Sequence, residues 1–164
     1  MKEKSERAAW LEQAMARHEE SLLRMCFAYL GDAALAEDAV QETFVKAYRA
    51  LPDFRGEAQE KTWLTRIAIN TCKDVLRSSW MRHIDRRRAI EELPLAAPPQ
   101  HPESLDLTEA ILRLPPKLKD IVLLHYYQGL HLRTCAQILG ISAPTASRYL
   151  AQAMKRLRID LERG

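Results

Sequence analysis

Apolar residues recur along the chain at intervals of three and four, the period of an amphipathic helix, and no stretch shows the strict alternation of a half-buried strand. Ala36, Val40, Phe44, Tyr48 and Leu51 form one stripe. It is entered through Gly31 and Asp32, an acceptor suited to cap a first turn, and Pro52 ends it. Leu64, Ile67, Ala68, Thr71 and Val75 form a second stripe, and Arg66, Asn70, Lys73, Asp74 and Arg77 lie on the opposite face. Further on, Pro115 and Pro116 suit a helix start and Gly129 a C-cap. Leu132, Ala136 and Leu139 then make a short apolar face, followed by Gly140-Ile141 as a turn. Ser142 can cap the next helix, Pro144 in its first turn loses no needed donor, and Ala146, Leu150, Ala153 and Leu157 form its buried stripe. The pattern predicts an all-α protein.

Proline interrupts that periodicity in one place, PLAAPPQHP at 94–102, after a basic run RHIDRRR at 82–88. Proline withdraws backbone donors and fixes φ, so no helix should cross this segment. The chain therefore divides into two small helical domains on a flexible Pro-rich linker. These are an N-terminal helical bundle over 1–80, the linker over 81–104, and a C-terminal helix-turn-helix domain over 105–164. There is no internal repeat.

With 164 residues, 47% of them hydrophobic and 29% charged, the composition is that of a folded domain pair. No apolar run is long enough to span a bilayer, and the charged opening MKEKSERAAWLEQAMARHEE lacks the core of a signal peptide. A cytoplasmic protein without membrane insertion is expected. Cys26, Cys72 and Cys135 lie far apart among apolar neighbours, which predicts three buried thiols. Catalytic and cofactor signatures are missing: no histidine follows a glutamate at Glu-x-x-His spacing, and there is no phosphate-binding glycine loop and no G-x-S-x-G. The sequence thus predicts a protein that is not an enzyme and needs no metal or cofactor.

The net charge is only +3, yet no acidic residue occurs between Asp120 and Asp160, where Arg133, Arg148, Lys155, Arg156 and Arg158 all fall. A one-signed stretch is a footprint for a polyanion, because each phosphate contact releases counterions. Two core helices meeting at a glycine would share the 132–158 pattern. The small polar and basic residues opposite the stripe, Thr145, Ser147, Arg148, Gln152, Lys155 and Arg156, favour a DNA-reading helix instead, since these side chains can reach base edges and phosphates. In the N-terminal half, a loop holding Phe54, Arg55 and Trp63 precedes the polar stripe at 66–77. Aromatics among basic residues suit stacking on unpaired bases, although Trp63 itself reads as a core anchor. Asp38, Gln41 and Glu42 form an acidic face that meets either solvent or a basic protein partner.

Three blocks in order make the chain resemble a bacterial sigma factor of the sigma-70 family, extracytoplasmic-function group. GDAALAEDAVQETFVKAYRAL resembles the family's polymerase-binding segment, FRGEAQEKTWLTRIAINTCKDVLRS its −10 segment, and LPPKLKDIVLLHYYQGL with the 132–158 stretch its −35-reading domain. The resemblance implies that Asp38, Gln41 and Glu42 bind core RNA polymerase. It implies that Arg55, Lys61, Arg66, Asn70, Lys73, Asp74 and Arg77 meet the unpaired −10 strand. Ser142, Pro144, Thr145, Ser147, Arg148, Gln152, Lys155 and Arg156 would read the −35 duplex. It also implies an anti-sigma partner and a role in transcription initiation. The sequence departs from the group at Gln59-Glu60-Lys61, where an aromatic is common, and at Arg133-Thr134-Cys135, where glutamates are usual. A stand-alone helix-turn-helix regulator binding an operator as a dimer would share only residues 132–158.

Overall fold

A computed structural model describes residues 2–54, 56, 59–85 and 105–163. Their regular structure is all helical, with no strand among the described residues. Helix α1 (Lys2–Leu30) leads through Gly31 into α2 (Ala33–Ala50), a 3-10 turn (Leu51–Asp53) and α3 (Glu60–Asp85). After the linker come α4 (Leu105–Leu112), α5 (Pro116–Val122), α6 (Leu132–Leu139) and α7 (Ala143–Arg163). The expected linker beyond Asp85, and Arg55 in the 54–62 loop, lie outside the described residues.

The caps form where the residue types place them. Asp32 sits in extended backbone and accepts the Leu35 N–H at 2.9 Å, satisfying an otherwise orphaned donor of α2. Pro52 falls in the 3-10 turn that closes the same helix. Gly140 takes φ +68°, and the Ile141 N–H returns to the Ala136 carbonyl at 3.0 Å, so α6 ends in a left-handed cap. Ser142 then accepts the Thr145 N–H at 3.2 Å and starts α7. Pro116 opens α5 as expected, but that helix does not stop cleanly before Gly129. It continues as a π-helical turn over Leu123–Tyr127, with Gln128 N–H on the Leu123 carbonyl.

α1, α2 and α3 pack on one another, while α4, α5 and α6 gather around α7. Met25, Cys26, Ala36, Ala39, Phe44, Leu64 and Ala68 fill the first interior, and Ile111, Ile121, Leu124, Ala146, Ala153 and Leu157 the second. All three cysteines are buried and free. The stripe Leu64, Ala68 and Thr71 of α3 is buried as its period indicates, but so are Thr65, Ile69 and Cys72, one step round the helix. That second buried row exists because α3 is covered from more than one direction. The Cys72 thiol meets Cys26 of α1, and Thr65 Oγ1 reaches Gln128 beyond α5 at 3.4 Å. The two halves therefore touch, with α1 contacting both α4 and the π turn.

Candidate protein and nucleic-acid interfaces

The outer face of α2 is set by its buried one. With Ala36, Ala39, Val40, Thr43, Phe44 and Ala47 inward, Asp38, Gln41 and Glu42 are all exposed on the other side. Val45 joins them at 41% exposure. An apolar side chain beside three polar ones gives this face an anchor for a partner, because desolvating a valine is favourable where desolvating a carboxylate is not. Sequence reasoning passed over Val45, though its spacing of three and four from Glu42 and Gln41 marks the same face.

On α3, Arg66, Asn70, Asp74 and Arg77 are exposed, and Lys61 and Lys73 are half-buried. These six do not form one free stripe. Asp74 pairs with Lys46 of α2 at 3.6 Å, while Lys73 Nζ lies 3.1 Å from Asp120 of α5. Lys46 also donates to Thr71 Oγ1 at 3.1 Å, so Asp74 serves the α2–α3 seam. The cations Arg66 and Arg77 make no ion pair among the described residues.

The start of α3 is tied to α1 through aromatic and charged contacts. Trp63 stacks on Phe54 with ring centroids 4.4 Å apart and meets Trp10 at 5.9 Å. Glu60 accepts hydrogen bonds from Trp10 Nε1 at 2.8 Å and Arg17 at 3.0 Å, and its second oxygen meets His18 Nε2 at 2.8 Å. A carboxylate only accepts, so the His18 proton facing it sits on Nε2. Partial burial raises the Glu60 pKa, but the hydrogen bonds from His18 and Trp10 and the charge of Arg17 outweigh it and hold the carboxyl below its ordinary value. Glu60, in the segment where the group often has an aromatic, is thus an anchor to α1.

On α7, Ala146, Ala153 and Leu157 are buried and Leu150 is partly so. Ser142, Pro144, Ser147, Arg148, Gln152, Lys155 and Arg156 are exposed. Thr145 is half-buried and its hydroxyl accepts from Ser142 at 2.8 Å, so it contributes to the cap as well as to the surface. Arg148, Lys155 and Arg156 have no acidic partner among the described residues. A helix N-terminus with small hydroxyls, followed by unpaired cations on one face, can enter a major groove and meet phosphates on either side.

Comparison with known proteins finds the family descriptions "Sigma-70 region 2" over residues 14–89 and "Sigma-70, region 4" over residues 104–157. The RNA polymerase sigma factor SigV of Bacillus subtilis is 30% identical over 161 residues, covering 98% of this chain and 96% of that protein. The RNA polymerase sigma-H factor of Pseudomonas aeruginosa is 30% identical over 155 residues, covering 86% and 80%. Among solved structures, RpoE of Bartonella quintana, determined with the anti-sigma factor NepR, superposes with a TM-score of 0.76 at 21% identity, covering 92% of this chain and 96% of that one. CnrH, determined with the cytosolic domain of CnrY, superposes with a TM-score of 0.71 at 24% identity, covering 93% and 87%.

Proposed function

The chain belongs to the sigma-70 family of RNA polymerase sigma factors, extracytoplasmic-function group, and from that premise we propose how its exposed faces divide the work. A protein of this family directs core RNA polymerase to promoters and binds promoter DNA. The dimeric operator-binding regulator is not favoured, since it gives no account of the region-2 match over 14–89.

In this reading the 1–80 domain binds core polymerase through Asp38, Gln41 and Glu42, with exposed Val45 beside them at the C-terminal edge of the patch. Arg55, Lys61, Arg66, Asn70, Lys73, Asp74 and Arg77 meet the unpaired −10 strand, Arg66 and Arg77 as free cations and Asp74 mainly by holding α3 against α2. The 105–164 domain places α7 in the −35 duplex. Ser142, Pro144, Thr145 and Ser147 fit the backbone near the helix start, Arg148 and Gln152 fit base edges, and Lys155 and Arg156 fit phosphates. The 81–104 segment joins the two. The protein catalyses nothing itself and works in the cytoplasm, where its polymerase and DNA are. An anti-sigma partner, as the solved complex of RpoE contains, would act by covering these faces.

The observation that carries the reading is that each of the two region matches contains one helix with an exposed basic face, α3 in the first and α7 in the second. Two modest DNA contacts become one strong grip once polymerase sets their spacing. The test is reconstitution of the chain with core RNA polymerase on genomic DNA, followed by sequencing of transcript 5′ ends. Defined start sites sharing two upstream motifs are expected. Start sites indistinguishable from those of core polymerase alone would sink the assignment.

A further inference from the structure

Cys26 of α1 and Cys72 of α3 meet with both side chains closed to water, each 0% exposed. The Cys72 thiol hydrogen-bonds to the Cys26 sulfur, and that bond together with burial holds its pKa far above the ordinary value. Cys72 stands on the buried row of α3 with Thr65 and Ile69, away from the exposed Arg66, Asn70 and Arg77. A thiol without thiolate character or access to solvent is inert toward oxidants, so this setting does not favour a disulfide. Two sulfurs held side by side can instead share a cation.

The surroundings narrow which cation. Among the described residues no group of three His, Cys, Asp or Glu side chains is placed to hold a metal. Zinc asks for three or four protein ligands, which this pair does not supply. Two thiolates suffice for a soft ion of low coordination number, and copper(I) is the one that thiolates select. Charge then separates monovalent from divalent ions. Lys119 of α5 donates to the Tyr29 carbonyl at 3.1 Å, sits 4.3 Å from the centre of that ring, and lies close enough to Cys72 to favour a thiolate there. Asp120 opposes a thiolate, but its Oδ2 is 3.1 Å from Lys73. Lys73 and Lys119 against Asp120 alone leave one positive charge in excess beside the sulfurs. A bis-thiolate of a monovalent ion carries one negative charge and offsets it, whereas that of a divalent ion is neutral and leaves it uncompensated. The same coupling runs the other way: burial lowers the Lys119 pKa, and a negative charge on Cys72 raises it.

We propose that Cys26 and Cys72 form a two-coordinate site for copper(I), with Lys119 as the counter-charge that selects a monovalent ion. The ion displaces one proton from each thiol. Two Cu–S bonds replace two S–H bonds, both protons leave to water, and no electron is transferred. The bound ion ties α1 to α3 on the buried side of α3, so the site stands or falls independently of the promoter reading.

The test is anaerobic titration of the intact chain with copper(I), with bathocuproine disulfonate competing for the ion. One copper(I) per chain should bind to the unaltered protein and to Cys135→Ala, whose thiol sits apart on the Leu130 carbonyl. Binding should be lost in Cys26→Ala and in Cys72→Ala, with circular dichroism confirming the helicity of each metal-free variant. Lys119→Met should weaken copper(I) binding about tenfold and leave mercury(II), whose bis-thiolate is neutral, unchanged. Copper(I) at about a hundredfold excess over its Kd should raise the melting temperature by about 5–10 °C. X-ray absorption of the loaded chain needs no variant and should show two sulfur neighbours without nitrogen or oxygen. The site is overturned by no tight uptake, by uptake that survives loss of Cys26 or Cys72, or by loss of uptake in Cys135→Ala. A third ligand on copper, an unmoved melting temperature, or equal weakening of both ions in Lys119→Met overturns it as well.

Discussion

Glu60 receives Trp10, Arg17 and His18 of α1 on one carboxylate, with about a quarter of the side chain (24%) left exposed. It also begins α3, where a negative charge meets the positive end of the helix. Because its folded carboxyl lies below the ordinary value of 4.5, the ionised form favours the folded state. That contribution is complete above the unfolded pKa and disappears as pH falls through the lowered folded one. Thermal melting at a series of pH values should therefore show the unaltered chain losing stability below about pH 4.5 more steeply than Glu60→Gln, whose amide has nothing to protonate there. Parallel acid limbs for the two proteins would contradict this. At pH 7 the alanine variant, which also strands the Trp10 N–H, should melt lower by the equivalent of about 1–2 kcal/mol. No local pattern along α1 shows this cluster, because Glu60 comes to His18 and Arg17 from 42 and 43 residues away.

At the scale of elements, the α6–α7 corner was legible in the sequence because it is built from local rules. A glycine after the last apolar position, a serine next and a proline in the first turn are enough to place one helix end and one helix start. The structure adds the energetics. Gly140 holds φ +68° with open space around it, so Gly140→Ala meets no clash and measures backbone strain alone. The cost should be about 1 kcal/mol, visible as a lower melting temperature of the C-terminal half. A melting curve unmoved by the substitution would mean that the corner relaxes out of the left-handed cap. The end of α5 followed a different course. Proline and glycine bracket it as expected, but His125 Nδ1 and the Leu130 carbonyl close at 2.8 Å across a π turn. That wider turn accompanies the inward placement of Gln128 against α1, a tertiary demand that no local pattern announces.

For the molecule as a whole, the two halves bear on how the chain meets DNA. If polymerase supplies the spacing between domains, the free chain should bind promoter duplex weakly, and adding core enzyme should tighten binding by about two orders of magnitude or more. Fluorescence anisotropy on a promoter fragment, with and without core polymerase, measures both. Tight specific binding by the free chain would overturn the two-point grip. Hydrophobic period, caps and proline placement determined the helices and the all-α class, because each depends on neighbours three or four residues away. The one-signed charge from Asp120 to Asp160 and the polar faces of α2, α3 and α7 made the candidate interfaces visible, because exposed chemistry follows from which face is buried. Tertiary structure alone decided which of those residues are free. Lys119, Asp120 and Gln128 carry no local sign of burial, and they are buried because α1 and α3, 90, 47 and 107 residues away at their respective contacts, close over them. Burial of a polar residue is set by the partner that satisfies it, and that partner lies too far along the chain for any local pattern to show.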